Sequence, residues 1–333
     1  MSDALLVLIP VYDDWHAVGQ LIAHLDRALS YAGRRASVLL VDDGSSEAIG
    51  TQLAAFASSG RPGISGISVL RLRRNLGTQR AIAVGLSFVA ANLTPDAVVV
   101  MDADGQDLPD DVPRLLEEFE RKGGQAVVFA ERTRRSESIS FVVLYGAYRA
   151  LHRVLTGERV RVGNFSVVPG RFISTLVVMS DLWNHYAAAV FKSRLPYATL
   201  STVRGRRYSG SSHMNYVALV IHGLSAMSVF GDRIGVRVLT AMSIATLAAC
   251  VGGAAAMAAT QRVAGGLPAW VPFALIVGGA MLLQVVLGAL AFALMILGSR
   301  DNATFLPVRD YAHFVESLQR LDVPDQHVVS VSR

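Results

Sequence analysis

Two carboxylates separated by one residue, Asp102 and Asp104, follow the apolar run AVVVM, so they leave a strand end together where the chain turns. Hard divalent cations such as Mg2+ or Mn2+ take oxygen ligands and commonly bridge one or two carboxylates to a diphosphate. Taken alone the pair reads more readily as an Asx turn, because Asp is frequent wherever a turn needs a side-chain acceptor. It is not alone. Tyr12-Asp13-Asp14 follows the run LLVLIP, and Asp42-Asp43-Gly44-Ser45 follows SVLLV. Three acidic clusters after three strand-like runs are what a ligand-binding crevice requires, since ligands of open α/β sheets sit beyond the carboxyl ends of the strands.

Such a crevice needs a sheet to carry it. Over the first two hundred residues, short β-branched runs alternate with amphipathic stretches, the pattern of a parallel sheet covered by helices. The runs predict strands at 5–9, 37–41, 67–71, 97–101 and 126–130. The amphipathic stretches predict helices at 15–31, 48–57, 78–92 and 110–121. Residues 1–210 therefore read as one α/β domain without internal repeats.

The remainder is of a different kind. The 333 residues are 52% hydrophobic, with a mean hydropathy of +0.41, high for a soluble chain. No charged residue lies between Arg237 and Arg262, nor between Arg262 and Arg300, and each stretch is long enough for a hydrocarbon core of roughly 30 Å. Residues 237–298 are expected to form a hairpin of two transmembrane helices. Arg233 and Arg237 precede it and Arg300 and Arg309 follow it, while the joining loop carries only Arg262, so the positive-inside bias puts both termini in the cytoplasm. Asn215, His222 and Ser225 recur along an otherwise apolar stretch, so 211–236 is expected to lie in the membrane interface, with a third span as the competing view. Residues 299–333 read as a cytoplasmic tail.

The first residues lack the basic region and cleavage site of a signal peptide and look like a first strand. The single cysteine, Cys250, falls in the first span, so a reducing compartment fits. A net charge of +5 suits nucleic acid, anionic lipid or a phosphorylated substrate. With two spans present, lipid headgroups and phosphates are the expected partners and nucleic acid is not.

Four ordered blocks, IPVYDDWHAV, VLLVDDGSS, LRRNLGTQRAIAVGL and VVVMDADGQDLPDDVPRLL, resemble the polyprenyl-phosphate glycosyltransferases of glycosyltransferase family two. The similarity runs from residue 5 to about 214. It implies a GT-A, Rossmann-like domain and transfer of a sugar from a nucleotide diphosphate sugar to a polyprenyl phosphate. By matching position, Pro10, Tyr12 and Asp13 would line the nucleoside pocket, and Asp42 and Asp43 would contact base or ribose. Asn75 and Gly77 would border the donor, and Asp102 and Asp104, with Gln106 nearby, would bring in Mg2+ or Mn2+. Arg132 and Arg135 match the family's paired arginines, whose guanidinium groups suit phosphate oxygens. Arg204 and Arg207, in VRGRRYSGSSHMNY, would meet the lipid phosphate at the water-lipid boundary.

Three positions depart from the family pattern. His213 stands where lysine is usual, which lessens fixed charge for a phosphate because imidazole is mostly neutral at pH 7. Asn164, in VGNFSVVP, replaces an aspartate, and Asp14 stands where an Asn-Glu pair is common. Transfer to a hydroxyl needs a base for its proton, whereas a phosphate acceptor is already ionised. The late region offers only Glu158 and Asp181, neither in the family's acidic motif. Two rivals are a transferase acting on a glycan hydroxyl and an inactive membrane scaffold. His152, His185 and His222 lack metal-site spacing and read as structural, and Trp183 reads as a membrane-surface or core side chain. Gly252, Gly253, Gly278 and Gly279 offer small-residue faces for a homo-oligomer.

Overall fold

The computed structural model of the chain describes residues 4–49, 53, 61–132, 150, 152–157, 162–208, 223–261, 268, 270–300 and 305–321. They fall into two compact units. Residues 1–142, 160–229 and 304–333 make up one, and 143–159 with 230–303 the other.

The first unit is built on strands buried on both faces. β1 (Leu5–Val11) is buried along its whole length, as expected of a strand with helices above and below it. α1 (Trp15–Tyr31) returns across the sheet, burying Val18, Leu21, Ile22, Leu25 and Leu29 at three- and four-residue spacing. The chain continues through β2 (Ala36–Asp42), β3 (Ile64–Leu72), α2 (Thr78–Asn92), β4 (Ala97–Val100), α3 (Asp111–Arg121) and β5 (Val127–Arg132). Then come β6 (Val162–Pro169), α4 (Gly170–Val177), α5 (Tyr186–Lys192) and β7 (Tyr197–Thr202), and β8 (Val315–Arg320) closes the unit.

Among the described residues, the expected parallel five-stranded sheet is instead a mixed sheet of eight strands in the order β7-β5-β6-β4-β1-β2-β3-β8. β1 pairs in parallel with β2 and β4, and β2 with β3. β6 enters antiparallel between β4 and β5, and β8 runs antiparallel along β3. Besides β6, hydropathy passes over two strands, and both are half-polar: β7 alternates exposed and half-buried positions, and VESLQR of β8 suits a solvated sheet edge. Part of the expected tail at 299–333 is thus a strand of the α/β unit. Phe305 and Phe314 bring it against Trp183, with ring centroids 4.1 and 5.0 Å away. Trp183 therefore packs against this returning segment. The predicted helix at 48–57 lies largely outside the described residues, as does the first part of the expected interfacial stretch, 211–222; of its remainder, 223–228 are helical, and from Gly231 the chain belongs to the first long helix of the second unit.

The second unit contains α6 (Gly231–Gln261) and α7 (Trp270–Arg300), which pack on each other. Gly253 lies at their contact, where an added Cβ would be 3.3 Å from Leu275. Ile244, Leu247, Met281 and Leu283 are exposed, apolar surface that water does not favour. Among the described residues, Gly231–Gly253 is long and apolar enough to cross a membrane, and α7 carries the shorter apolar stretch Val277–Phe292.

Candidate active site

The carboxyl ends of β2, β1 and β4 lie side by side, and each ends in one of the acidic clusters. The β1–β2 register pairs Val11 with Asp42, so the loops that follow meet directly. Asp13 has a φ of 47°, a left-handed conformation that Asp tolerates better than most residues. Its carboxylate accepts hydrogen bonds from the backbone N–H groups of Ser46 at 2.7 Å and Glu47 at 3.0 Å, and its own N–H donates to Ser45 Oγ at 3.0 Å. Asp42 accepts from Ser45 N at 2.8 Å. Asp43 accepts from Leu76 N at 2.7 Å and Gly77 N at 2.8 Å. Asp42 and Asp43 are both buried. The three carboxylates expected at the nucleoside brace the loops around it, and Tyr12 is 48% exposed at the strand end. Pro10 is buried within β1, and Asn75 is exposed beside Gly77, whose φ is 90°.

Burial pushes the Asp43 carboxyl up from 3.8 to about 6, against the lowering effect of its two backbone donors, with neighbouring Asp42 adding to the rise. The folded state therefore holds this proton more tightly than the unfolded chain. The resulting stability is fully present below about pH 4 and is lost as pH rises through about 6. Asp43→Asn lacks this dependence, so the advantage of the wild-type chain in melting temperature is expected to shrink between pH 4.5 and 7. Thermal unfolding of both proteins across that range measures it.

The turn after β4 is stapled from within. Asp107 Oδ2 accepts from Asp102 N at 2.9 Å, and Asp104 Oδ1 accepts from Gln106 N at 2.9 Å. A second segment, 204–208, lies across it. Arg207 donates to Asp104 Oδ2 at 2.8 Å, Arg204 bonds the Gln106 side chain, and Tyr208 N donates to the Asp104 carbonyl at 3.0 Å. Gly105 has a φ of 80° and lies against the Tyr208 ring, where a Cβ would overlap it. The Tyr208 hydroxyl is 2.7 Å from His24 Nδ1. Beside this contact is a cavity of about 560 Å3 lined by His24, Arg27, Asp110, Arg206, Arg207 and Tyr208 among others.

β6 brings the last member. Its antiparallel register pairs Val100 with Ser166, and continued two residues further it sets Asn164 beside Asp102. Asn164 Nδ2 donates to Asp102 Oδ1 at 3.2 Å. Asn164 Oδ1 accepts from Gln79 Nε2 at 2.9 Å, and Gln79 Oε1 accepts from Tyr186 N at 2.7 Å. Of the expected residues, the fold thus joins Asp102 to Asn164, Asp104 to Arg207, Gln106 to Arg204 and Asp43 to Gly77. Arg132 is the last residue of β5, and Arg135 and His213 lie outside the described residues. Sequence reasoning missed Gln79, Asp107 and Tyr208. Only Asp107 had a local signal, as the third acid of DADGQD. His185 caps α5, its Nδ1 accepting from Ala188 N at 3.4 Å.

Asp102 and Asp104 are partly exposed oxygen donors on one turn, and Asp104 already neutralises a cation, Arg207. No cluster of three or more potential metal-ligating side chains occurs among the described residues. Two carboxylate oxygen donors on one turn fit a hard divalent cation such as Mg2+ or Mn2+.

Comparison with known proteins gives this arrangement a context. The profile described as Glycosyl transferase family 2 matches residues 6–172, half of the chain. The chain is 37% identical over 133 residues to the undecaprenyl-phosphate 4-deoxy-4-formamido-L-arabinose transferase of Klebsiella pneumoniae strain 342, covering 40% of this chain and 38% of that protein. It is 38% identical over 115 residues to the protein of that name from Sodalis glossinidius, covering 34% of this chain and 33% of that one. The matched stretch thus spans well under half the length of these curated relatives. Among solved structures, glucosyl-3-phosphoglycerate synthase from Mycobacterium tuberculosis, in complex with Mn2+, UDP-glucose and phosphoglyceric acid, aligns with a TM-score of 0.47 at 16% identity, over 70% of this chain and 80% of that one. Mannosyl-3-phosphoglycerate synthase from Rubrobacter xylanophilus aligns with a TM-score of 0.46 at 17% identity, over 69% and 74%.

Proposed function

Because the chain belongs to glycosyl transferase family 2, with a GT-A type α/β fold and a mixed sheet, we propose that it transfers a sugar from a nucleotide diphosphate sugar to a polyprenyl phosphate such as undecaprenyl phosphate. The observation that carries the proposal is the docking of Arg204 and Arg207 on the Asp102–Asp104 turn. Carboxylates suited to a cation-bound diphosphate and guanidinium groups suited to a second phosphate occupy one place. Similarity to undecaprenyl-phosphate sugar transferases supports the acceptor class.

In the proposed reaction the nucleoside base stacks on Tyr12, and the Asp43-braced turn at Leu76 and Gly77 borders the donor. A divalent cation held by Asp102 and Asp104 would supply charge neutralisation for the departing diphosphate. An oxygen of the lipid phosphate forms the new bond to the anomeric carbon, and the nucleoside diphosphate leaves from the opposite face with its bonding pair. The anomeric configuration inverts. The phosphate is already ionised, so no side chain need remove a proton. Arg132, Arg135, Arg204 and Arg207 share the charge of the two phosphate groups, and His213 is assigned to binding the lipid phosphate on its sequence position alone. Residues 1–210 together with β8 form the transferase domain, and α6 and α7 form a transmembrane hairpin that keeps the domain and both termini on the cytoplasmic side.

Two measurements test this. Product analysis with an anomerically defined donor should give inversion, and retention would refute direct displacement. Label should pass to undecaprenyl phosphate and not to a free saccharide. The opposite preference would favour transfer to a glycan hydroxyl, and turnover of neither would favour a scaffold.

The Arg207 contact carries its own prediction. A guanidinium bonded to Asp104 competes with a metal ion for that oxygen, at a cost of about 1 kcal/mol for a partly exposed pair. Arg207→Met is therefore expected to tighten Mn2+ binding by roughly five-fold while lowering transfer to the lipid. Titration by electron paramagnetic resonance, without donor or acceptor, checks the first part.

A further inference from the structure

We infer that Asn164 and Gln79 form a one-way amide relay that orients the Asp102 carboxylate, and that this relay requires an amide at position 164. Asn164 is thus a positioning residue, and it acts on Asp102 rather than on the sugar or the lipid.

The polarity of the relay follows from its ends. Tyr186 N is a backbone donor, so the Gln79 atom facing it at 2.7 Å is the carbonyl oxygen. That leaves the Gln79 amino group to donate to Asn164, which must present its oxygen, at 2.9 Å. The Asn164 amino group is then left for Asp102, whose carboxylate only accepts. Each amide orientation is forced by the one before it. Sequence separations of 107 and 85 residues make this a product of the tertiary fold.

A second arm from the same tyrosine holds the backbone of Asn164. Ser166 Oγ donates to the Asn164 carbonyl at 2.9 Å and lies 2.6 Å from the Tyr186 hydroxyl. With the serine proton spent on that carbonyl, the tyrosine hydroxyl is the donor of the second bond. Tyr186 is fully buried, and burial raises its pKa, so its proton stays in place. Asn164 is therefore fixed at both main chain and side chain by α5, and it passes that order to the turn after β4.

An aspartate at 164 would accept from Gln79 equally well but would face Asp102 with no proton to give and a like charge. Here the two readings of this position separate: a carboxylate needed as a ligand is restored by Asp, and an amide needed as a donor is not. In Gln79→Glu the Tyr186 bond survives, but the proton passed to Asn164 is lost.

The inference rests on Asp102 as a cation-holding residue, so the experiment carries a control for that premise. Mn2+ affinity of the full chain without donor or acceptor is read by electron paramagnetic resonance, alongside kcat and melting temperature, for Asn164→Ala, Asn164→Asp, Gln79→Glu, Gln79→Met and Asp102→Ala. Asn164→Ala, Gln79→Glu and Gln79→Met should each weaken Mn2+ binding about three- to ten-fold, and Gln79→Glu should add nothing to Asn164→Ala. Asn164→Asp should bind Mn2+ at least as well as wild type yet lose ten-fold or more in kcat. If Asn164→Ala fails to fold, the Gln79 variants decide, since they leave β6 untouched. Mn2+ affinity within two-fold of wild type in the Gln79 variants, full kcat in Asn164→Asp, or additive losses would overturn the relay while Asp102→Ala still abolishes binding. Undiminished binding in Asp102→Ala would remove the premise and the relay together.

Discussion

Replacing Asp104 by alanine is expected to lower kcat for sugar transfer by on the order of a thousand-fold or more, equivalent to about 4 kcal/mol of transition-state stabilisation, without unfolding the chain. Among the described residues, the carboxylate is bonded to Gln106 N and Arg207. The bond that docks the neighbouring segment, from Tyr208 N, goes to the main-chain oxygen of Asp104 and survives the change. The lost contacts are partly exposed, so the stability cost is small, roughly 1 kcal/mol. Asp104→Asn keeps an acceptor for Gln106 but loses the charge. It should fall nearly as far as alanine if charge is what the reaction uses. Steady-state kinetics at saturating Mg2+, with thermal unfolding alongside, checks both variants, and more than a tenth of wild-type kcat in either would count against a role for this carboxylate.

Gly44→Ala should be the most damaging conservative change in the crevice. Gly44 has a φ of 72°, and an added Cβ would lie 2.6 Å from the Arg74 carbonyl carbon and 2.7 Å from Asn75 N. Both neighbours are backbone, so no side chain can swing aside. The left-handed conformation adds about 1–2 kcal/mol for an L-residue, and overpacking typically adds about 1–3 kcal/mol. The expected loss is therefore about 2–5 kcal/mol. Relief by parting the two loops would break the Asp43 bonds to Leu76 and Gly77, so donor KM should rise as stability falls. Chemical denaturation and donor titration measure the two effects. A variant with wild-type stability would show that the loops do not meet as described.

Helix ends were legible because apolar periodicity is local: the predicted helices at 15–31 and 78–92 coincide with α1 and α2. The acidic clusters were legible as strand ends for the same reason, each following a run too apolar to lie elsewhere than in the sheet. β6 was not, because VGNFSVVP begins with three half-buried positions and becomes fully buried only from Phe165. β8 was not, because an edge strand beside β3 needs little hydrophobicity. Both omissions matter at the site. β6 determines what stands next to Asp102, and no local feature of NLGTQRAIAV marks Gln79 as its partner's partner. The bracing by the acids was not legible either: Asp13 and Asp43, which the family resemblance puts at the nucleoside, also accept from backbone N–H groups of neighbouring loops. A carboxylate at a strand end can build the pocket wall as well as touch the ligand, and only three-dimensional partners distinguish the two.

The central claim is that strand-end carboxylates and the arginines docked on them join a nucleotide sugar to a lipid phosphate. Its most direct test is to incubate the full chain, in lipid nanodiscs containing undecaprenyl phosphate, with a panel of nucleotide sugars and to analyse the lipid fraction by mass spectrometry. One donor should yield undecaprenyl phosphate heavier by a single sugar residue, only when Mg2+ or Mn2+ is supplied and not with Asp104→Ala. An unmodified lipid across the whole panel, with sugar appearing instead on an added saccharide, would contradict it.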